Sequence, residues 1–333
     1  MSDSTVYRKI GDSTIHSIGF GVMGISTWYG AIDSDEERFK VLDAAYDSGC
    51  RHWDTSNVYG DSEDLIGKWF KRTGKRNEIF LATKFGGGAQ IRGDPEYVDE
   101  CIEKSLSRLG VDYVDLFYAH RIDSKIPIEV TVRALKKLVE QGKVKYLGLS
   151  ECSATTLRRA NAIHPISAVQ LEVSPFVLDI FQPEIGLADA CKEIGSTIVA
   201  YSPLGRGLLT GRYRSPDDFE EDDWRRHVPK FSRENFPKIL QLVSSLEEIG
   251  KKHNATAGQV TLAWILALLP NIVVIPGTKK AKYLLENMGA AQVKLSKEEV
   301  EAVTKLAKEA EIPGNRYPDA YMASTFGDTP EEK

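Results

Sequence analysis

Short apolar runs alternate with segments of helical periodicity along most of the chain. The apolar runs are rich in β-branched and aromatic residues, a pattern typical of buried parallel strands. The segments between them carry apolar residues three and four positions apart, as amphipathic helices do. The predicted strands are Ser17–Phe20, Arg51–Asp54, Ile79–Lys84, Tyr113–His120, Tyr146–Ser150, Ala168–Glu172, Thr197–Tyr201 and Ile272–Ile275.

This strict alternation predicts an α/β fold of parallel strands joined by right-handed crossovers. Eight units predict a closed (β/α)8 TIM barrel, which we expect to occupy residues 1–333 as a single domain. A Gly-Asp turn at 11–12 predicts an N-terminal hairpin, and residues 203–233 predict a long loop after the seventh strand. The predicted helices, the last of them an extra C-terminal one, are Glu36–Ser48, Asp61–Lys71, Glu96–Leu109, Glu129–Gln141, Thr155–Ala160, Pro183–Ile194 and Ser296–Glu309.

Composition excludes several classes of protein. A hydrophobic content of 42% suffices for a full core, and a net charge of −5 gives no electrostatic reason to bind nucleic acid or an anionic membrane. The four cysteines form no Cys-x-x-Cys pair, so no zinc site, other metal or redox motif is expected. Without a signal peptide or long apolar span, we expect a cytoplasmic protein, and a monomer is favoured.

Four polar residues lie at or just beyond the ends of three successive predicted strands. Asp54 and Tyr59 follow the second strand, Lys84 ends the third, and His120 ends the fourth. Each residue taken singly is more often a structural hydrogen-bonding group. Active sites of (β/α)8 barrels form at the face where the strands end, so the four together favour a catalytic role.

This set suits the reduction of a carbonyl group. Negative charge grows on the substrate oxygen as hydride arrives, and Tyr59 can deliver the proton if the Lys84 ammonium lowers the pKa of its phenol. Asp54 can keep Lys84 charged. His120 can donate a hydrogen bond that orients the substrate oxygen.

Eight ordered segments carry a resemblance to a known family: Gly19–Gly24, Asp54–Gly60, Ala82–Lys84, Ser107–Leu116 with His120, Gly148–Ser150, Val169–Gln170, Tyr201–Leu204 and Ile275–Thr278. With these segments, the chain resembles the aldo-keto reductases over nearly its whole length. The catalytic tetrad of that family falls on Asp54, Tyr59, Lys84 and His120. The segments Gly148–Glu151, Ile163–Ile166, Tyr201–Gly211 and Asn315–Pro318 most resemble the branch of perakine reductase-like and pyridoxal reductase-like enzymes.

Two segments are candidates for binding a dinucleotide. Gly19-x-Gly21-x-x-Gly24 fits the Rossmann fingerprint, but no helix follows directly and no isolated acidic residue ends a second strand, so we reject that fold. In Ile275–Lys282 a strand ends and a helix begins, which is a favourable site for a phosphate. Lys279, Lys280 and Lys282 add positive charge and favour NADPH over NADH.

The resemblance also implies how the cofactor is bound. It assigns the nicotinamide carboxamide to Ser150 and Gln170, and ring stacking to Tyr201. Many relatives have Asn where Glu151 stands and Arg where Tyr283 stands, which leaves open one carboxamide contact and the lysine that binds the 2′-phosphate. The remaining predicted cofactor residues are Gly21, Met23, Ser202, Leu204 and Arg206 near the pyrophosphate, Gly277, Thr278, Lys279, Lys280 and Lys282 at the phosphate segment, and Glu286 and Asn287 on the adenine side.

The expected activity is NADPH-dependent reduction of an aldehyde or ketone to the alcohol. The predicted substrate walls include Trp28 and Tyr29 beside Tyr59 and His120, which favours flat or aromatic carbonyl compounds, pyridoxal among them. A barrel aldolase that uses Lys84 as a Schiff-base nucleophile is an alternative, but it leaves Tyr59 and the phosphate segment unexplained. The resemblance also admits a redox-sensing role like that of potassium channel β subunits.

Overall fold

The computed structural model describes residues 6–332, and in this part of the chain ten strands are present. The first two form an antiparallel hairpin, and the other eight form one parallel sheet in which each strand pairs with the next along the chain. The strands are β1 (Tyr7–Ile10), β2 (Ser13–His16), β3 (Phe20–Gly21), β4 (His52–Asp54), β5 (Phe80–Phe85), β6 (Val114–Ala119), β7 (Val144–Ser150), β8 (Ile166–Glu172), β9 (Thr197–Tyr201) and β10 (Ile272–Val274).

The sheet closes into a barrel between its first and last strands. Parallel bridges join Ile18 to Val274 and Gly21 to Gly277. A side chain at Gly277 would place its Cβ 2.9 Å from the Gly21 carbonyl oxygen, so the close approach of the two strands requires glycine there. Ile10 and Ile15 of the hairpin pack with residues of the barrel interior. The hairpin thereby covers the end of the barrel opposite the carboxyl ends of the strands.

Helices surround the barrel, and their ends follow the expected chemistry. Ser34 caps the first helix, and Asp94 caps the third ahead of Pro95. Gly74 and Gly110 end helices in the left-handed conformation. Between residues 6 and 332 the helices are α1 (Asp35–Asp47), α2 (Ser62–Thr73), α3 (Pro95–Leu109), α4 (Ile128–Glu140), α5 (Ala154–Ile163), α6 (Leu187–Ile194), α7 (Phe236–His253), α8 (Ala257–Leu268), α9 (Ala281–Gly289), α10 (Lys297–Glu309) and α11 (Asp319–Met322).

The structure confirms the eight-stranded barrel, the hairpin and the C-terminal helix with its Ser296 capping box. Three boundaries were wrong by three or more residues, one of them the end of the fifth helix, which is Ile163 and not the predicted Ala160. The first barrel strand is Phe20–Gly21, with residue 18 making only an isolated bridge. The sixth helix begins at Leu187, four residues after the predicted Pro183, because Gly186 precedes it in the left-handed conformation at φ 59°.

The predicted long loop after the seventh barrel strand is present, but short 3₁₀ turns give it a fixed course. Gly205–Thr210 is interrupted by a kink at Arg206 and Gly207, and Phe219 and Phe231 bury their rings in the main core. Helices α7 and α8 follow this loop before the last strand. None of the helices in the described part of the chain combines the length and apolar character needed to cross a membrane.

Candidate active site

A buried ion pair lies where the second and third barrel strands end. Lys84 donates hydrogen bonds to the Asp54 carboxylate and, at 2.7 Å, to the Thr55 carbonyl oxygen. Gln170 donates to the other Asp54 oxygen at 2.8 Å. Burial opposes the ammonium form of Lys84, but Asp54 and Tyr59 together outweigh it, so the pKa of Lys84 is raised. The pair therefore keeps a positive charge inside the barrel mouth.

Tyr59 lies against this charge. The Lys84 nitrogen is 4.9 Å from the centre of the Tyr59 ring, and the phenol oxygen is 3.4 Å from His120 Nε2. Burial raises the pKa of Tyr59, and Lys84 opposes this rise without reversing it. Lys84 thus acts in the predicted direction, but the pKa of Tyr59 is raised overall, because the loss of hydration of a buried phenolate outweighs the attraction of the Lys84 charge. Tyr59 is thus protonated and able to donate.

His120 completes the tetrad as a neutral imidazole. Burial, together with the positive charges of Arg121 and Lys84, holds the pKa of His120 well below its usual range. Its Nδ1 lies 3.1 Å from the Ser56 hydroxyl, which fixes the ring orientation. Ser56 was not predicted as a site residue, although it lies within the Asp54–Gly60 segment. The structure thus brings all four predicted catalytic residues together.

Trp28 and Tyr29 have different surroundings at the barrel mouth. Trp28 is 48% exposed, takes a left-handed φ of 66°, and stands edge-on to Tyr59 with ring centres 5.7 Å apart. The Tyr29 ring instead lies 5.3 Å from the Arg225 guanidinium. Burial raises the pKa of Tyr29 to about 12. Trp28 is therefore the aromatic side chain of this loop that faces the tetrad.

Comparison with known proteins decides the family. The model of the aldo/keto reductase family matches residues 17–308. The aldo-keto reductase str7 of Strobilurus tenacellus is 64% identical over 330 residues, which cover 97% of this chain and 98% of that protein.

The chain belongs to the aldo/keto reductase family. As an aldo-keto reductase it is an NADP(H)-dependent oxidoreductase that acts on small carbonyl compounds. The aldo-keto reductase yakc [NADP(+)] of Schizosaccharomyces pombe is also similar, with 51% identity over 332 residues that cover 97% of each chain.

Solved aldo-keto reductases share the fold. The glycerol dehydrogenase of Gluconobacter oxydans is similar with a TM-score of 0.83 and 26% identity, over 95% of this chain and 98% of that one. The thermostable aldo-keto reductase Tm1743, in complex with the inhibitor epalrestat, gives a TM-score of 0.73 and 31% identity, over 90% and 99% of the two chains. Both comparisons span nearly the whole barrel.

Two buried polar atoms in this aldo-keto reductase fit a bound NADP(H). The Ser150 hydroxyl ends the fifth barrel strand, and neither it nor Arg206 Nη1 has a hydrogen-bond partner among residues 6–332. Buried polar groups without partners are rare in proteins. The nicotinamide carboxamide would satisfy Ser150, and a pyrophosphate oxygen would satisfy Arg206. Gln170 uses its amide nitrogen on Asp54, which leaves its carbonyl oxygen for the carboxamide.

Glu151 is held by a residue that the sequence analysis did not assign to the site. Arg316, from the C-terminal segment, donates to both Glu151 oxygens at 2.9 and 2.6 Å. Tyr201 also donates to Glu151, at 2.8 Å. Burial opposes the carboxylate, but Arg316, with smaller contributions from Arg121 and Tyr201, outweighs it and lowers the pKa of Glu151. Glu151 is therefore engaged by Arg316, and the Tyr201 ring is fixed at the predicted nicotinamide position.

The lysines of the phosphate segment differ in their contacts. Lys279 donates to the backbone oxygens of Tyr29 and, at 2.7 Å, Ala31, so it fastens the first loop. Lys280 forms a surface ion pair with Asp33 at 3.1 Å. The ninth helix begins directly after Lys280, whose side chain makes no capping hydrogen bond. This confirms the predicted strand-to-helix transition, while phosphate binding there stays a prediction.

The other predicted cofactor residues lie at the same end of the barrel or on the elements after its last strand. Glu286 accepts a hydrogen bond from the Thr256 hydroxyl at 2.8 Å. Their observed positions are Gly21 and Gly277 in the closing bridge, Met23 in the first loop, Ser202 with a left-handed φ of 49°, Leu204 buried after the seventh strand, Thr278 before the ninth helix, Lys282 within that helix, and Asn287 buried on it.

Proposed function

We propose that the chain reduces an aldehyde or ketone to the alcohol with NADPH, and that Tyr59 delivers the proton. The observation that carries this proposal is the buried Lys84–Asp54 pair against Tyr59 and His120 at the mouth of the barrel. Bound NADPH supplies the hydride. The four side chains supply the proton and the stabilisation of charge.

Each member of the tetrad has a distinct part in this proposal. The protonated Tyr59 donates to the carbonyl oxygen, and the Lys84 charge stabilises the phenolate left behind. Asp54 holds Lys84 charged through the transfer. His120, being neutral, can orient the substrate oxygen without repelling the Lys84 ammonium. Ser56 fixes the His120 ring, so we assign it as a positioning residue.

The site argues against the Schiff-base alternative. An amine must be unprotonated to attack a carbonyl carbon, whereas Asp54 raises the pKa of Lys84. Lys84 is also completely buried, with its nitrogen engaged by Asp54 and Thr55. The geometry therefore supports Lys84 as a fixed charge.

The surroundings of the tetrad support a flat or aromatic substrate. Trp28 stands beside Tyr59, and Trp224 packs on Tyr317 with ring centres 5.8 Å apart. Oxidation of NADPH measured with benzaldehydes, aliphatic aldehydes, ketones and pyridoxal tests the proposal directly. We expect faster reduction of the aromatic compounds. Absence of turnover with every carbonyl compound would overturn the proposed function.

Replacement of Trp28 with alanine is expected to impair aromatic substrates selectively. Loss of one aromatic contact is worth about 0.5–1.5 kcal/mol beyond the lost buried area, so KM for benzaldehyde should rise roughly tenfold. KM and kcat for propanal should change little, because the tetrad is intact. Steady-state kinetics with both aldehydes checks this, and an equal effect on both would contradict the role of Trp28.

Joint replacement of Lys280 and Lys282 with glutamine is expected to weaken NADPH binding about 10- to 100-fold, because a charge-assisted contact to phosphate is lost. NADH binding should change by less than about threefold. Lys279 is left intact because it fastens the first loop. Fluorescence titration measures both affinities, with Lys297→Gln as a matched surface control. Equal weakening of both cofactors would argue against a 2′-phosphate site here.

A further inference from the structure

A second guanidinium lies beside the tetrad with no carboxylate partner. Arg121 follows His120 directly at the end of the fourth barrel strand, and its side chain is only partly exposed. It donates to the His120 carbonyl oxygen at 2.7 Å. Within residues 6–332, no carboxylate oxygen lies within 4 Å of its guanidinium nitrogens. Most of its five N–H donors are therefore free for another acceptor.

The other charged groups of the barrel mouth are already paired. Lys84 is bound to Asp54, and Arg316 holds Glu151 through two hydrogen bonds. Glu172 lies 3.2 Å from Arg316 and 3.4 Å from Arg206. Glu151 attracts Arg121 only at longer range, since no hydrogen bond joins them. The mouth thus carries one excess positive charge, at Arg121.

The guanidinium of Arg121 lies on the substrate side of the site. Arg121 interacts electrostatically with Tyr59 and His120, the two residues that face the carbonyl oxygen in the proposed reaction. The phenols of Tyr201 and Tyr317 also interact with it electrostatically. An arginine fork suits a planar carboxylate, and Trp28 beside Tyr59 suits the flat ring that carries it.

We propose that Arg121 is a specificity-determining residue that binds the carboxylate of an anionic, flat carbonyl substrate, such as a formylbenzoate. This inference rests on the proposed function, because it assigns the substrate class of the same site. Tyr59 and His120 act on the carbonyl end. Arg121 holds the carboxylate end, and its donors match the two carboxylate oxygens.

The test compares 4-formylbenzoate with its neutral near-isostere 4-formylbenzamide. The wild-type enzyme is expected to prefer the carboxylate in kcat/KM by about 10- to 100-fold. Arg121→Gln should abolish that preference, so that the ratio of kcat/KM between the carboxylate and the amide falls to about one, and leave NADPH affinity unchanged. Arg158→Gln, which removes an exposed arginine of the outer helix α5, should retain the preference.

Two outcomes would overturn the proposal while the reductase function stands. One is equal turnover of the two aldehydes by the wild type. The other is an equal fall for both aldehydes in Arg121→Gln with a shifted pH profile of kcat, which would make Arg121 a modulator of Tyr59.

A binding measurement separates this proposal from the reductase function. Calorimetry of terephthalate with the enzyme and NADP⁺ should show binding that Arg121→Gln loses, even if no aldehyde is turned over. Equal terephthalate binding by the wild type and the variant would overturn the assignment of Arg121.

Discussion

Replacing Tyr59 with phenylalanine is expected to remove most carbonyl reduction while NADPH still binds. The variant keeps the ring beside Trp28 and loses only the hydroxyl that lies 3.4 Å from His120. A positioned general acid contributes about 10²- to 10⁴-fold to rate. We therefore expect kcat to fall by that factor with any aldehyde, measured by NADPH oxidation.

The cofactor provides the control for this experiment. The predicted NADPH contacts lie at Ser150, Gln170 and Tyr201, and the Tyr59 hydroxyl is not among them. Quenching of protein fluorescence by NADPH should give the same affinity in Tyr59→Phe and the wild type. Unchanged turnover in the variant would exclude Tyr59 as the proton donor. Lost NADPH binding would show instead that the substitution had disturbed the pocket.

Much of the barrel and its tetrad follow from local patterns. Buried parallel strands appear as short β-branched runs, and their carboxyl ends must meet at one mouth. Asp54, Lys84 and His120 end such runs, so their proximity follows from the fold. The start of the sixth helix was misplaced because Pro183 suits a first helical turn, whereas Gly186, three residues later, is the residue that precedes the helix.

The partners of Glu151 could not be predicted in the same way. Arg316 lies 165 positions further along the chain, in a segment without helical or strand periodicity. Nothing in a local pattern shows which charge such a segment brings to the mouth. The net direction of the Tyr59 pKa could not be predicted either, because it depends on how far burial outweighs the Lys84 charge. Both features arise from tertiary packing.

Breaking the Arg316–Glu151 pair is expected to have the largest effect on stability. Arg316→Met removes the guanidinium and leaves Glu151, which is completely buried, without its bidentate partner. Breaking a buried pair in this way costs roughly 3–5 kcal/mol. We expect the free energy of unfolding to fall by that amount at pH 8, measured by denaturant titration. Glu172 also loses its contact with Arg316, but it keeps a positively charged partner, because Arg206 lies 3.4 Å from it.

The loss of stability in Arg316→Met should be larger at high pH than at low pH. In the wild type the pKa of Glu151 is lower in the folded chain than in the unfolded chain, where it is about 4.3. The pair therefore stabilises the fold fully above a pH of about 4.3, and this stabilisation is lost as pH falls through the pKa of the folded chain. Without Arg316, burial raises the pKa of Glu151 instead. The variant can then relieve its buried charge by taking up a proton. The difference between variant and wild type should therefore be largest at pH 8 and smaller at pH 5.

A second substitution shows whether charge or packing causes the loss. Glu151→Gln combined with Arg316→Met removes the unpaired carboxylate and keeps a side chain of similar size. If the buried charge is responsible, the double variant should recover most of the lost stability, and its stability difference from the wild type should show little pH dependence between pH 5 and 8. If Arg316 acts mainly through packing of its long side chain, the double variant should be as unstable as Arg316→Met at both pH values. That second result would contradict the electrostatic role assigned to the pair.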